Sequence, residues 1–163
     1  MDIPSVYVVP PSAVGASDRE CFEKLVREGG QVDPATFPAL FKNAHALAFA
    51  RVAGVLTGVA ALKRPNDSYR DTVFGKAHAT RAATEFPLEL GWVSVAPVGQ
   101  RRGLVRCMLD PLLAQREGMP VYATSALDNV PMHAALRRFG FEPHGQPYEA
   151  TRNAQFVQLF VLG

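Results

Sequence analysis

The apolar residues of the chain fall either into short runs or into stretches with helical spacing. Short apolar runs bounded by proline, glycine or polar residues predict strands. These runs are Ser5–Val9, His45–Val52, Val55–Arg64, Phe86–Val95, Val121–Ala126 and Asn153–Leu162. The second and third are apolar on both faces and turn at Ala53-Gly54, which is typical of a hairpin in the middle of a sheet. In the last run, Phe156, Gln158 and Phe160 share one face, which favours an alternating strand.

Helical spacing predicts helices between several of these strands. Ser17 followed by Glu20 is the pattern of a capping box, and the apolar stripe after it stops at Gly29-Gly30. Asp33-Pro34 offers a cap and a first-turn proline for a short second helix that reaches Phe41. The first quarter of the chain therefore predicts a strand followed by two helices.

The rest of the chain predicts further helices. Leu104–Gln115 and Pro131–Phe139 have helical spacing, and Gly140 closes the second of them. The polar segment between residues 65 and 85 is too long for a structureless loop in a compact domain. Tyr69, Val73 and Ala77 are spaced four residues apart within it, so we expect a short helix or lid there.

The order of elements predicts an α/β fold with a mixed sheet. A strand, a helix and a second strand in succession form a parallel pair with a right-handed crossover. The hairpin in the first half adds antiparallel pairs to the same sheet. No linker, internal repeat or low-complexity tract interrupts residues 1–163, so we expect a single domain.

The composition excludes few classes of protein. The hydrophobic content of 48% and charged content of 20% are ordinary for a globular protein, and a net charge of +2 gives little support for nucleic-acid binding. The apolar stretch Ala46–Leu62 carries Arg51 near its middle and two glycines, so a buried hairpin explains it better than a membrane span. The N-terminus lacks the pattern of a secretory signal.

The two cysteines add a prediction about location. Cys21 and Cys107 lie far apart within predicted helices, which is typical of free thiols in a reducing compartment. Neither lies beside a histidine at a spacing that favours metal binding or nucleophilic catalysis. We therefore expect a cytoplasmic protein with no metal.

The turn between Val95 and Leu104 carries the clearest chemical signal. Gln100-Arg101-Arg102-Gly103 stands where a strand ends and a helix begins. The first amides of a helix have no intrahelical acceptor, and glycine lets a ligand approach the backbone. With two arginines nearby, the turn can bind a phosphate or pyrophosphate, although a solvated basic loop would have the same sequence. The absence of G-x-G-x-x-G and of G-x-x-x-x-G-K-[ST] disfavours dinucleotide and nucleoside-triphosphate enzymes.

These residues resemble the GNAT superfamily of acyl-CoA-dependent N-acyltransferases. The family signature is a strand, a proline and then [Q/R]-x-x-G-x-[G/A] at a helix start, and the chain has Pro97 followed by Gln100 to Val105. A second signature is an Asn after the next strand, a helix and a closing Gly-Phe. Here the segment LDNVPMHAALRRFGFEP supplies Asn129 and Gly140-Phe141. The chain departs from the pattern at Val105, where the family prefers Gly or Ala, and at Arg101, which replaces a frequent glycine.

The resemblance implies how acetyl-CoA would bind. The amides of Arg101, Arg102, Gly103, Leu104 and Val105, with Gln100 beside them, would hold the CoA pyrophosphate. The main chain of Val93, Ser94 and Val95 would pair with the pantetheine arm, and Asn129 would hydrogen-bond that arm. The resemblance also implies that the two parallel strands splay apart, within a largely antiparallel sheet flanked by helices.

Glu89 is the candidate general base. It stands on the predicted strand Phe86–Val95 on the face shared with Val93, and similar family members place a carboxylate here. We expect burial on an apolar strand to raise the pKa of this carboxyl. The alternative is an ion pair with an arginine such as Arg51 or Arg81.

The general acid is left unassigned. Leu136 stands where many family members carry a Tyr, so the role cannot be carried over. Tyr148, Ser125 and His133 are substitutes by residue type alone.

The predicted function is the transfer of an acetyl group from acetyl-CoA to a primary amine by direct attack in a ternary complex. The acceptor would be a small molecule or a peptide, and the 65–85 segment would decide its identity. The alternatives are a non-catalytic acyl-CoA-binding or interaction module, and an aminoacyl-tRNA-acetylating toxin supported only by four arginines. Edge pairing through the last strands would give a homodimer.

Overall fold

The strands and helices follow the predicted order, in a computed structural model that describes residues 2–30, 32–150 and 153–163. The strands are Ser5–Val9 (β1), Ala46–Val52 (β2), Val55–Lys63 (β3), Leu88–Val95 (β4), Val121–Ala126 (β5), Glu142–Pro143 (β6), Tyr148–Glu149 (β7) and Phe156–Leu162 (β8). The helices are Ala16–Glu28 (α1), Phe37–Lys42 (α2), Asp67–Lys76 (α3), Leu104–Ala114 (α4) and Val130–Arg138 (α5).

The sheet is mixed, as predicted. The hydrogen-bonded strand order is β1-β2-β3-β4-β5-β8-β6, and β7 also pairs with β8. The pairs β1–β2, β2–β3, β5–β8, β6–β8 and β7–β8 are antiparallel, whereas β4 and β5 run parallel. This confirms the fold class of a largely antiparallel sheet with one parallel pair and flanking helices.

The chain divides into two compact units. The first comprises the residues up to Arg64 together with Leu90–Glu117, and the second comprises Pro65–Glu89 together with the residues from Gly118 onwards. The strand β4 contributes Leu88 and Glu89 to the second unit and its other residues to the first. The expectation of a single domain stays a prediction.

The first unit is built around an aromatic core on one face of β2 and β3. Phe22 of α1 contacts Phe41 of α2 and Trp92 of β4, with ring centroids 5.2 Å and 5.9 Å apart. The ring of Phe49 on β2 is 5.5 Å from that of Phe22. Such large apolar side chains supply most of the burial free energy of a small core.

The opposite face of the same strands is covered by α4. Ala50 alternates with Phe49 along β2, so its side chain lies on the other face. Gly58 of β3 leaves room there for Met108 of α4, whose Cε lies 3.1 Å from the position that a Cβ on Gly58 would take. Helices on both faces explain why these strands carry apolar residues on both faces, as the sequence predicts.

The second unit has helices against two faces in the same way. Leu159 and Val161 of β8 share a buried cluster with Phe74 of α3. Phe160 alternates to the other face, where its ring lies 4.9 Å from that of His133 on α5. The α3 helix confirms the helical prediction for this part of the chain.

Two predicted helix starts are wrong. Gly15, with extended backbone (φ −75°, ψ 164°), is the N-cap of α1, and its carbonyl accepts the Arg19 amide, so Ser17 lies inside the first turn and does not cap it. The carboxylate of Asp33 accepts the Ala35 amide at 3.0 Å and forms a turn ahead of α2, which begins at Phe37. Neither start has a side-chain capping hydrogen bond: Gly15 is the N-cap of α1 and Thr36 that of α2.

Two further expectations about strands need correction. Strand β4 begins at Leu88 and β8 at Phe156, each later than predicted. Phe156 is exposed while the residues from Gln158 to Val161 are buried on both faces, so exposed and buried positions do not alternate along β8. The reason is its position between β5 on one side and β6 and β7 on the other, with helices on both faces.

Candidate functional site

The turn between β4 and α4 has a backbone geometry suited to anions. After a 3₁₀ turn at Pro97–Gly99, Arg101 and Gly103 both adopt left-handed conformations, with φ of 63° and 71°. Left-handed residues in a tight turn can direct neighbouring amides toward one side, as in the backbone concavities that bind anions. The glycine common in the family at the Arg101 position is explained by this left-handed backbone.

The N-terminus of α4 has neither a side-chain cap nor an acidic residue in its first turn. Gly103, its N-cap, has no side chain that could cap the first amides. The positive end of the helix dipole therefore meets no negative side chain of its own first turn. A Cβ built on Gly103 would meet no atom within 4 Å apart from those of its two chain neighbours. Arg101 and Arg102 are exposed beside it and add two positive charges.

Buried neighbours hold this turn in place. Leu104, the first residue of α4, is 2% exposed, and its Cδ1 lies 2.8 Å from where a Cβ on Gly99 would be. Gln100 donates a weak hydrogen bond from Nε2 to the Val95 carbonyl at 3.4 Å. Val105 is half-buried. The turn is therefore anchored by packing, while its amides are presented by exposed residues.

In the β4 segment expected to bind the pantetheine arm, the Ser94 hydroxyl points toward the end of α1. Ser94 is buried, and its Oγ lies 2.8 Å from where a Cβ on Gly29 would be, at the end of α1. Val93 and Val95 are half-buried on the alternate face. Trp92 has a left-handed backbone with φ of 53° in the middle of the strand, so the alternation that relates Glu89 to Val93 in the sequence is interrupted. Any role of this segment in CoA binding is therefore a main-chain role.

Glu89 lies in the second unit and is 4% exposed. It is the register partner of Tyr122 on the parallel strand β5, so both side chains lie on one face of the sheet. The phenol of Tyr69 on α3 donates a hydrogen bond to Oε2 of Glu89 at 3.4 Å. The predicted base is thus a buried carboxylate in contact with a helix that lies in the predicted lid segment.

The charge of this carboxylate raises the pKa of three tyrosines, Tyr69, Tyr122 and Tyr148. Together with Glu89 they are called the Glu89 cluster. The negative charge of Glu89, followed by burial, raises the pKa of Tyr69 well above its usual value. Burial, followed by the Glu89 charge, raises the pKa of Tyr122 strongly and that of Tyr148 to about 12. All three phenols therefore hold their protons at neutral pH.

The three residues suggested as general acid, Tyr148, His133 and Ser125, have different surroundings. Tyr148, on β7, belongs to the Glu89 cluster. The ring nitrogen Nε2 of His133 lies 2.9 Å from the Ala126 carbonyl and is engaged in holding α5 to β5. Ser125 is 6% exposed, and its hydroxyl has no hydrogen-bond partner among the described residues. Leu136 is fully buried in the core.

Asn129 stands at the start of α5, where the sequence predicts it. Its Oδ1 accepts the Met132 amide at 3.2 Å and so caps the helix. This use of the oxygen leaves the two N–H donors of the side-chain amide for another partner.

The sequence does not identify Tyr69 and Tyr122 as neighbours of Glu89. Its pattern places Tyr69 in a helical stripe and Tyr122 in an apolar strand. The signal for Tyr122 was the predicted parallel pair, because that pairing brings a residue of β5 beside Glu89. Among the described residues, no three His, Cys, Asp or Glu side chains are grouped so that they could hold a metal ion.

Solved structures resemble this chain over nearly its whole length. An acyl-CoA N-acyltransferase from Pseudomonas aeruginosa has a TM-score of 0.71 at 13% identity, covering 99% of this chain and 100% of that one. A putative acetyltransferase of the GNAT family from Desulfovibrio desulfuricans has a TM-score of 0.65 at 16% identity, covering 98% of each chain. The putative acetyltransferase yncA from Salmonella typhimurium, solved with its cofactor acetyl-CoA, has a TM-score of 0.65 at 16% identity, covering 98% and 93%.

At the level of sequence, no protein-family model matches the chain and no curated protein does. None of the helices in the described part of the chain has the length and hydropathy that crossing a bilayer requires. The agreement in strand order and in TM-score concerns three-dimensional structure at low sequence identity. The chain therefore has the fold of the GNAT acetyltransferases.

Proposed function

We propose that the chain is an acyl-CoA-dependent N-acyltransferase that transfers an acetyl group from acetyl-CoA to a primary amine. The observation that carries the proposal is the turn before α4, where left-handed Arg101 and Gly103 precede an uncapped helix start. The fold shared with acyltransferases supports it, as does the similarity to a structure solved with acetyl-CoA. The free thiols of Cys21 and Cys107 support a cytoplasmic location.

The residues of the turn fit a diphosphate. The amides from Arg101 to Val105 would donate to its oxygens, because the first amides of a helix have no intrahelical acceptor. Gly103 presents no Cβ that would keep a phosphate from the backbone. Arg101 and Arg102 would add electrostatic attraction from the exposed side of the turn.

The pantetheine arm would run along the main chain of Val93, Ser94 and Val95. Because Ser94 buries its hydroxyl against α1, the backbone N–H and C=O groups of this segment would make the contacts. The side-chain amide of Asn129 would donate to the arm, since its oxygen already caps α5. This binding mode resembles the addition of a strand to a sheet edge.

Acetyl-CoA supplies an acyl group activated as a thioester. The chain must supply an acceptor for the proton that the amine loses on attack, and Glu89 is the carboxylate suited to that task. It is 4% exposed and is held by the Tyr69 phenol. Direct attack by the amine requires both substrates to be bound together, so we infer a ternary complex.

Two measurements and one variant test the proposal. Isothermal titration should show CoA binding, and its absence at millimolar concentration would defeat the proposal. Mixing the protein with acetyl-CoA and a panel of primary amines should release free CoA thiol in an amine-dependent way. Glu89→Gln should lower turnover by about a hundredfold or more if the carboxylate is the base.

A second candidate is a non-catalytic acyl-CoA-binding module. The observation that favours it is Leu136, a fully buried apolar residue at the position where the resemblance calls for a phenol. This candidate predicts CoA binding by titration without thiol release for any amine in the panel. The two measurements together therefore separate the enzyme from the binding module.

A further inference from the structure

We propose that Tyr69, Tyr122 and Tyr148 line the acceptor end of the site with Glu89, and select an amine that carries no carboxylate beside its amino group. The inference rests on the proposed function, because it names the acceptor class for the same site. It assigns recognition of the amine to residues of α3, β5 and β7.

The three tyrosines converge on Glu89 from three elements of the second unit. Tyr122 is its register partner on β5, and Tyr69 of α3 donates to it at 3.4 Å. Tyr148 of β7 is half-buried against the cluster that contains Tyr122 and Phe74. The Tyr122 and Phe74 rings pack in a T-shaped arrangement with centroids 5.3 Å apart, which restricts the orientation of the Tyr122 ring.

The buried hydroxyl of Tyr122 is the feature that indicates ligand binding. Tyr122 is fully buried, and its hydroxyl has no hydrogen-bond partner among the described residues. A buried polar group without a partner is costly, and native structures rarely contain one without a functional reason. A polar group of a bound substrate would satisfy this hydroxyl.

The charges around the cluster favour a cation over an anion. The carboxylate of Glu89 is the main cause of the raised pKa of Tyr69 and, after burial, contributes to the raised pKa of Tyr122 and Tyr148, so its charge disfavours added negative charge at each hydroxyl. Arg70 is the cation of α3 that acts on Tyr122, and it forms ion pairs with the exposed carboxylates of Asp67 at 3.4 Å and Asp71 at 3.5 Å. These carboxylates offset part of its positive charge, while its buried Nε has no hydrogen-bond partner among the described residues.

These charges distinguish two kinds of amine. An alkylammonium group is attracted by the carboxylate and by the faces of the aromatic rings. An amino acid brings a carboxylate within a few ångströms of its amino group, and that second negative charge is repelled by Glu89. An amide in the same place carries no charge and can accept a hydrogen bond from a phenol.

The test compares two acceptors of matched shape, L-phenylalaninamide and L-phenylalanine, with acetyl-CoA as donor. Thiol release gives kcat/KM for each, and we expect a ratio of roughly tenfold or more in favour of the amide. A second matched pair, tyramine and tyrosine, should show the same order. Equal values, or a preference for the amino acids, would overturn the inference.

Two substitutions test the assigned residues. Glu89→Gln should bring the ratio of dissociation constants of the two phenylalanine compounds close to one, measured by titration in the presence of CoA so that catalysis is not needed. Tyr122→Phe removes a hydroxyl without a partner, so the protein should fold normally while KM for phenylalaninamide rises about threefold or more. An unchanged dissociation ratio in the first variant, or an unchanged KM in the second, would refute the assignment.

Tyr7→Phe is the matched control. Tyr7 lies in the first unit, where its hydroxyl donates to Asp18 at 3.1 Å, and its loss should alter neither ratio nor KM. A change in this control as large as that in Tyr122→Phe would refute the role assigned to Tyr122. Failure of the proposed function gives a different result, because CoA itself then does not bind. In that case, titration of the two phenylalanine compounds into the protein without CoA still shows which acceptor class it prefers.

Discussion

Tyr69 is 47% exposed, yet its phenol donates a hydrogen bond to the carboxylate of Glu89, which is only 4% exposed. Tyr69 thus covers a buried negative charge from the solvent side. The Thr124 side chain on β5 lowers the pKa of the Tyr69 phenol, against the stronger raising effects of the Glu89 charge and of burial.

Tyr69→Phe should lower kcat/KM about threefold to tenfold, because it removes one hydrogen bond to a charged group at a partly exposed position. The measurement is steady-state thiol release with the best amine of the panel. Ser68→Ala, on the same helix and exposed, is the control and should retain full activity. Equal rates for Tyr69→Phe and the unsubstituted protein would show that the phenol does not position Glu89.

Gly103→Ala should weaken CoA binding about tenfold or more, since it adds a Cβ at the proposed diphosphate site and a left-handed alanine there is strained by about 1 kcal/mol. Gly118→Ala is a close control, because Gly118 has φ of 77° and its added Cβ would also meet nothing within 4 Å. Both variants should lose similar stability in urea, whereas only the first should lose CoA affinity by calorimetry. Equal CoA affinities in the two variants would argue against an anion site at Gly103.

Replacing Arg101 and Arg102 together by Gln should raise the CoA dissociation constant roughly tenfold at low salt, and much less at high salt, where exposed charges are screened. Titration at two ionic strengths measures this. Arg27→Gln, which removes an exposed charge paired with Glu23 on α1, is the control. A loss of affinity independent of salt would exclude a charge effect at the turn.

The protein should lose stability in alkali through the Glu89 cluster. The pKa of Tyr148 is raised from 10.0 to about 12, and those of Tyr69 and Tyr122 are also raised. Above pH 10 the unfolded chain releases phenolic protons that the folded chain still holds, so the free energy of unfolding falls as pH rises from 10 toward 12. Tyr148→Phe should make this fall less steep in urea titrations at several pH values. The same steepness in both proteins would contradict the prediction.

Gly145→Ala should destabilise the second unit by about 3 kcal/mol or more, because φ is 70° and an added Cβ would clash with the Ala77 carbonyl. That carbonyl also accepts the Gln146 amide at 2.8 Å, so the backbone has little room to move. Gly75→Ala in α3 should instead stabilise by about 0.5–1 kcal/mol, since its Cβ meets nothing within 4 Å. Urea denaturation of the two variants compares the effects, and a stable Gly145→Ala protein would disprove the clash.

The sequence predicted the helices, strands and turns better than the tertiary contacts between them. The hairpin through Ala53-Gly54, the glycines after α1 and the Gln100–Gly103 turn could be read because local chemistry decides them. The false capping box at Ser17 shows that capping residues alone do not decide where a helix begins. Tyr69 and Tyr122 could not be recognised as partners of Glu89, because their approach depends on tertiary packing and on strand register.

Leu136 has a consequence for any attempt to engineer this protein. Because its side chain is wholly enclosed, a tyrosine introduced there would need extra volume and a buried partner for its hydroxyl. The departure from the family pattern is therefore built into the interior of the domain and is not reversed by one substitution. A proton source for a leaving thiolate would have to be introduced at a different position of the chain.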